Sequence, residues 1–314
     1  MNLLFSCIGK RGYIPDFFRP CLQKGDRIIG TSNTKWTPGF GHCDKNYILP
    51  DIASDEYIPA VKKVCSDENI SAILSFFDPD VVALAKHFDE FVQLGITPVI
   101  PRYEIAETCF DKFKTYHFFV QQGFKTAKTY RSLEEASNAL STGEIAFPLF
   151  VKPRYGFGST HTFKANKRSE LDVFFNYVPD MIIQEELTGE AVNLDMLNDL
   201  DGKVISAVPW RKYRSRMGET EQAATFESPS LLDYGVQLGT TLAHIGPLDT
   251  DIFYKDGQYY VLEVNLRFGG GYPVSHLAGG DFPRKIIRLI KGEKLAPDIG
   301  NYRRGVVMMK DNLV

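Results

Sequence analysis

Over the first hundred positions, short apolar runs alternate with stretches whose apolar residues recur at helical spacing. NLLFSCIG (2–9), DRIIGTS (26–32), SAILSFF (71–77) and ITPVI (96–100) read as strands. Between them, PDFFRPCLQKG (15–25), YIPAVKKVCSDENI (57–70) and DPDVVALAKHFDEFVQLG (78–95) read as helices. Alternation of this kind predicts a doubly wound parallel sheet covered by helices on both faces.

The pattern changes after residue 104. CFDKFKTYHFFVQQGF (109–124) predicts a helix ending at Gly123, and FPLFVKPRYGFGSTHTFKA (147–165) a strand, a glycine-rich loop and a strand. MIIQEEL (181–187) is a further apolar strand. DLDG at 199–202 and DG at 256–257 are turn signals between alternating segments, so two hairpins follow. SPSLLDYGVQLGTTLAHIG (228–246) and FPRKIIRLIKG (282–292) read as helices. The expected class is thus α/β followed by α+β, in units 1–104, 105–186 and 187–314.

Composition narrows the function only by exclusion. The 314 residues are 44% hydrophobic and 24% charged, with a formal net charge of -3. That is an ordinary globular mix, without a basic patch for nucleic acid or an apolar run long enough for a membrane span. Five scattered cysteines without a CxxC read as reduced thiols in a cytoplasm. The first strand-to-helix turn, CIGKRGY, lacks the GxGxxG of a dinucleotide site, which disfavours a dehydrogenase.

The second hairpin carries the most chemistry. On alternation, Val261, Glu263, Asn265 and Arg267 share one face and Leu262, Val264 and Leu266 the other. Closing the turn brings Asp251 beside Glu263, a set of hard oxygen ligands suited to magnesium. Arg267 suits a phosphate held bidentately, and Gly269 to Gly271 would let backbone N–H groups approach an anion. Taken alone, the row also fits a solvated strand face. Lys152 leads into a loop with Gly156, Gly158 and Ser159 that could hold phosphates, although no Walker loop is present. The strand ending at Glu185, Glu186 and Leu187 could offer backbone groups to an adenine edge. Lys112 taken alone reads as a solvated helix residue.

In order, these parts resemble the ATP-grasp superfamily: a lysine after FD, then KPxxGxGS, EELxG, DxF, and ExNxR before GGG. The likeness is nearest to the branch of the carbamoyl phosphate synthase large subunit and the carboxylate-amine ligases. It implies a pre-ATP-grasp domain followed by two ATP-grasp subdomains. It also implies that Lys112 and Lys152 bind nucleotide phosphates and that the loop from Arg154 to Ser159, with Gly156 and Gly158, closes over them. The backbone of Glu185 and Leu187 would hold adenine. Asp251, Glu263 and Asn265 would bind two magnesium ions, with manganese as the alternative, and Arg267 would steady the transferred phosphoryl group. The family's ribose-binding glutamate is replaced by Ala191, which leaves either Glu190, one residue earlier, as the stand-in or the ribose more loosely held.

The implied activity is an ATP-dependent ligase that activates a small-molecule carboxylate as an acyl phosphate and joins it to an amine. A bicarbonate-activating, carbamoyl phosphate synthase-like subunit and a nucleotide-binding regulator without turnover are the rivals. Arg211, Lys212, Arg214 and Arg216 form a basic strand, one of whose faces could reach a substrate carboxylate. His276 reads as a packed rather than a catalytic residue. A homodimer is the default for such an enzyme.

Overall fold

The computed structural model describes residues 1–216 and 219–311. Its N-terminal unit is a five-stranded, wholly parallel sheet in the order β3-β2-β1-β4-β5. The strands are β1 (Asn2–Ser6), β2 (Arg27–Ser32), β3 (Lys45–Ile48), β4 (Ile70–Ser75) and β5 (Thr97–Pro98). Helices α1 (Tyr13–Phe18), α2 (Tyr57–Asp67), α3 (Asp78–Ala85) and α4 (Phe88–Gln93) cover it. The single helix expected over 78–95 is two, because His87 leaves helical backbone at φ -113° and ψ 20°.

A second interruption matters more. The helix expected over 109–124 is instead the end of α5 (Tyr103–Phe110) and the whole of α6 (Lys112–Gln121). Asp111 stands between them in extended backbone, and its carboxylate accepts the N–H groups of Phe113 at 3.0 Å and Lys114 at 3.2 Å. An aspartate N-cap restarts the chain as a new helix, and it places Lys112 at the first position of α6.

A small antiparallel sheet follows, ordered β6-β9-β7-β8. It contains β6 (Thr129–Tyr130), β7 (Leu149–Pro153), β8 (Phe163–Ala165) and β9 (Met181–Glu185), with α7 (Leu133–Ser141) and α8 (Arg168–Phe175) packed on it. The sequence reading passed over α7, although Ser132 and Glu135 form a capping box at its start. This sheet and its helices have a core of their own, around Leu149, Val151, Leu171 and Ile183.

The third sheet runs β14-β13-β10-β11-β12-β16, with β15 (Asp298–Ile299) parallel to β11. Its strands are β10 (Glu190–Asn198), β11 (Val204–Arg216), β12 (Glu219–Thr225), β13 (Gly246–Lys255), β14 (Gln258–Asn265) and β16 (Val307–Met309). Helix α9 (Pro229–Leu242) packs on the face made by Val192, Leu194 and Met196. Gly235 permits the approach, since a Cβ there would fall 2.1 Å from Leu194 Cδ2. Helices α10 (Tyr272–Leu277) and α11 (Phe282–Ile290) follow β14. Apolar residues of the first and third sheets share clusters: Leu4 and Ile29 lie with Leu194 and Val264, and Phe5 and Leu74 with Phe268 and Phe282. The first and third sheets therefore form one packed body, and the small sheet stands against it across a cleft. No helix among the described residues is long and apolar enough to cross a membrane.

His244, just after α9, is fully buried and neither ring nitrogen has a hydrogen-bond partner among the described residues. Burial pushes its pKa down to about 3, with the Gly246 backbone opposing this only in part. Between pH 6.5 and about 3 the unfolded chain therefore takes up a proton that the folded chain refuses, and stability falls as pH falls through that window. Urea unfolding should show His244→Leu losing about 3 kcal/mol less than wild type between pH 7.5 and pH 4. Equal losses in both proteins would refute this origin of acid sensitivity.

Candidate functional site

The cleft has one wall on the third sheet. Asp249 and Asp251 of β13 stand opposite Asn265 and Glu263 of β14, and opposite Asp195 and Asn193 of β10. Strand alternation turns all of these side chains to the face away from α9. The turn at Asp256–Gly257 brings Asp251 near Glu263, as the sequence predicts, although its register alone, with Lys255 opposite Gln258, would set Asp251 against Leu262.

Strict alternation fails at one point. The register of β13 and β14 shifts between Asp251 and Ile252, so Ile252 pairs with Val261 and Leu262 is the additional residue. A bulge of this kind turns the side chains on either side of it. Val261 enters the core, while Leu262 lines the cleft beside Glu263. The expected placing of Val261 on the face of Glu263, and of Leu262 in the core, is therefore reversed.

The opposite wall comes from the small sheet and the start of α6. Lys152 of β7 is buried, and burial lowers its pKa, with Lys112 adding to the effect and Glu263 opposing it. Lys112 Nζ donates to the Gly156 carbonyl at 2.7 Å and lies 3.4 Å from Glu263 Oε1. Burial penalises the Glu263 carboxylate, but Lys112 and Lys152 outweigh it and hold its pKa below the ordinary value. Gly156, Gly158, Ser159, Glu185 and Leu187 also line the cleft, which has a volume of about 410 Å³. Gly158 and Ser159 have φ of +62° and +57°. Glu185 is fixed through Lys128, whose N–H reaches its carboxylate at 2.8 Å and whose carbonyl accepts its N–H at 3.0 Å.

Three expected site residues lie differently. Arg154 turns out of the cleft: its Nε donates to Asp111 Oδ1 at 2.7 Å, its other end closes a two-point pair, and it lines a different cavity with Arg131. The fully buried Asp111 supplies the charge that draws it there. Glu190 lies on the reverse face of β10, paired with Arg211, so that Ala191 holds the cleft-facing place. Arg267 lines the cleft but is tied at both ends, to Asp78 at 3.2 Å and Asp249 at 3.4 Å. Burial opposes its charge, yet these two carboxylates keep it firmly protonated.

The basic strand departs from the alternation that would put Lys212, Arg214 and Arg216 on one face, because its register against β12 shifts between Lys212 and Arg214 and again between Arg214 and Ser215. Lys212 faces the cleft with Nζ 3.0 Å from Asp251 Oδ1, whereas Arg214 pairs with Glu221 on an exposed edge. Burial works against the Lys212 ammonium, but Asp251 and Asp249 raise its pKa overall. His276 stacks on Phe17 with ring centroids 3.9 Å apart, as a packed residue. Asp249 escaped the sequence reading, although its period-two spacing from Asp251 in DTD was visible. Burial and the neighbouring Asp251 push its pKa up to about 6.

The glycines after β14 serve a purpose other than the one expected. A Cβ at Gly269 would meet the Asp249 carboxylate at 2.4 Å, one at Gly270 the Glu219 carboxylate at 2.6 Å, and one at Gly271 the Trp210 ring at 2.2 Å. They admit protein side chains, of which Asp249 and Trp210 line the cleft. Asp251, Glu263 and Asn265 could hold a divalent cation through hard oxygens. Among the described residues, however, no three His, Cys, Asp or Glu side chains converge on one point, so such an ion needs oxygens from a ligand.

Comparison with known proteins now becomes decisive. Residues 3–100 match the family described as PylC-like, N-terminal domain. Residues 177–310 match the family described as ATP-grasp in the biosynthetic pathway with Ter operon. The chain has the ATP-grasp fold. It is similar to the arginine-specific carbamoyl phosphate synthase large chain of Bacillus subtilis, 22% identical over 249 residues, which are 75% of this chain and 24% of that one. The chain thus spans about a quarter of that relative's length. The ATP-grasp fold is shared with the biotin carboxylase domain of Hydrogenobacter thermophilus 2-oxoglutarate carboxylase, in a complex with MgADP and bicarbonate. That match has a TM-score of 0.75 at 18% identity, covering 98% of this chain and 73% of that one. An L-amino acid ligase from Bacillus licheniformis matches with a TM-score of 0.69 at 20% identity, covering 92% and 74%.

Trp210 reports on this ATP-grasp cleft, because Trp36, the other tryptophan, is 80% exposed and Trp210 only 1%. Gly271→Ala should displace the Trp210 ring, lower stability by about 1–3 kcal/mol and shift the buried component of the tryptophan emission to longer wavelength. An unchanged spectrum with an unchanged urea midpoint would show that the contact is not tight.

Proposed function

We propose that this protein of ATP-grasp fold is an ATP-dependent ligase that converts a small-molecule carboxylate to an acyl phosphate and then to an amide. The observation that carries this reading is the meeting of Asp251 and Glu263 with Lys212 of the same sheet and with Lys112 and Lys152 from the opposite wall of one cleft. Carboxylates that can hold a cation, set against lysines that can hold phosphates, match what phosphoryl transfer requires of a protein: positioning and charge compensation. The names of the similar proteins agree with it, two of them with MgADP or ligase in the name.

In this reading Lys112 and Lys152 hold the β- and γ-phosphates, and the loop from Tyr155 to Ser159 covers them. Glu185 and Leu187 present backbone groups to adenine. Asp251, Glu263 and Asn265 would hold one or two magnesium ions, which would supply charge neutralisation to the phosphate oxygens. The substrate carboxylate attacks the γ-phosphorus, ADP departs, and the amine then displaces phosphate from the acyl phosphate. Lys212 lies where it could meet an oxygen of the γ-phosphate or of the incoming carboxylate. Arg267 acts by fixing Asp249 and by its positive field. Arg154 serves as a brace for the glycine-rich loop through Asp111, in place of the phosphate role. Ala191 leaves the ribose without an acid from β10. We place the protein in the cytoplasm, consistent with five unpaired cysteines.

The names of the relatives and neighbours favour one further reading, with bicarbonate as the carboxylate. ADP release from Mg-ATP separates the two. Release that needs an organic carboxylate and rises with an amine supports the ligase; release with bicarbonate alone supports the second reading. Glu263→Gln should abolish release in either case while circular dichroism stays unchanged. Lys152→Ala should raise the KM for ATP and lower kcat, each at least tenfold. Full activity in Glu263→Gln would eliminate the metal assignment, and unaltered kinetics in Lys152→Ala would eliminate the phosphate assignment.

A further inference from the structure

The CIGKRGY turn after β1, too poor in glycine for a dinucleotide, lines a second cavity of about 260 Å³. Its walls come from the carboxyl ends of four parallel strands. Ile8 follows β1, Thr31 to Asn33 end β2 and begin its loop, Leu49 and Ile52 follow β3, and Phe76 and Phe77 follow β4. The sheet order turns at β1, which has β2 on one side and β4 on the other. Open parallel sheets take ligands outside the carboxyl ends of their strands at such a switch point. Most of the wall is apolar, and Lys10, Arg11 and Glu219 are its charged residues.

Arg11 lines both this cavity and the ATP-grasp cleft. One terminal nitrogen donates to the carbonyls of Phe76 at 2.9 Å and Phe268 at 3.0 Å, which pins the guanidinium between β4 and the loop after β14. The other lies 3.6 Å from Glu219, beyond hydrogen-bond distance, and Glu219 also serves Lys310 at 3.3 Å. Arg11 thus keeps donor capacity for an anion at the junction of the two spaces. The apolar wall also meets the glycine-rich loop, for Phe157 lies edge-on to Phe77 with centroids 4.6 Å apart.

We propose that the carboxylic-acid substrate has an apolar body, which fills the N-terminal cavity while its carboxylate lies at Arg11, facing the phosphoryl end of the cleft. The chemistry of this proposal rests on the ligase reading; the pocket itself is tested by binding alone. The glycine-rich loop then closes against the wall of the acid pocket, so that Phe77 touches both the substrate body and the nucleotide cover.

The experiment uses wild type, Ile52→Trp, which fills the cavity, and Ile52→Ala, which strips its wall; Ile52 is only partly buried, so both should fold. Each is titrated calorimetrically with acetate, 3-methylbutanoate and phenylacetate in the presence of magnesium and a non-hydrolysable ATP analogue. Wild type should bind at least one of the two larger acids tenfold or more tightly than acetate, and each variant should reduce that preference at least threefold. Equal affinity for all three acids, no binding of any, or a preference unaltered in both variants would overturn the pocket. Hydroxylamine with Mg-ATP reads the chemistry separately, as hydroxamate. Selective binding without hydroxamate keeps the pocket and removes the ligase reading. Hydroxamate formed without apolar preference keeps the ligase and removes the pocket.

Discussion

Asp195, Asp249, Asp251 and Glu263 stand on adjacent strands of one sheet face, close enough that their charges repel. In a cleft with restricted water, such a row stays ionised only where cations meet it, and otherwise takes up protons. Both outcomes occur here. Asp195, fully enclosed beside Ser275, has its pKa driven well upward by burial and by Asp249. Glu263, met by Lys112 and Lys152, is driven the other way. The path of the chain around the cleft follows from supplying those cations from separate elements: Lys112 from the start of α6, Lys152 from β7, Lys212 from β11 and Arg267 from beyond β14.

Two of these cations also join different units of the molecule. Lys112 reaches the glycine-rich loop of the small sheet and the edge of the large one. Arg267 joins β13 to Asp78 at the start of α3, on the N-terminal unit. A buried arginine held by two carboxylates gives little net stability over an apolar replacement, but loss of one partner leaves a costly unpaired charge. Its contribution is then the relative position of the N-terminal unit and the cleft-lining face of the third sheet. The same holds for Asp111, whose carboxylate caps α6, receives Arg154 and so sets Lys112 and the loop in register.

Much of this was legible in the sequence. Strand-helix alternation predicted the parallel sheet, and two DG turns predicted the hairpins. Asp251, Glu263 and Asn265 lie together because the DG at 256–257 closes the hairpin and a bulge at Leu262 then shifts its register by one residue. What alternation cannot carry is a bulge. Nothing in YYVLEVN marks Leu262 as the additional residue, and one inserted position reverses Val261 and Leu262. The direction of long side chains was equally hidden. Arg154 and Arg267 are basic residues beside glycines, a pattern that suits phosphate, and both are drawn instead to aspartates far away in sequence. The glycines misled for a related reason: Gly269 to Gly271 mark close approach, but only three-dimensional packing says that the approaching groups are Asp249, Glu219 and Trp210.

The partners seen in the cleft bear on how it would work under the proposed function. Asp251 and Glu263 are held by Lys212 and Lys112, which are also the groups assigned to substrate carboxylate and phosphate. Binding of Mg-ATP would therefore exchange partners and leave the number of buried charges in the protein unchanged: metal replaces the lysines at the carboxylates, and phosphate replaces the carboxylates at the lysines. Each exchange offsets the desolvation that the other would cost. Neither ligand alone achieves this. A free divalent cation would displace Lys112 and Lys212 into a cleft with no anion to receive them, and metal-free nucleotide would leave Asp251 and Glu263 facing its phosphates. On this reasoning the cleft selects the metal complex of the nucleotide over either component, through the pairing that Asp251 and Glu263 already have.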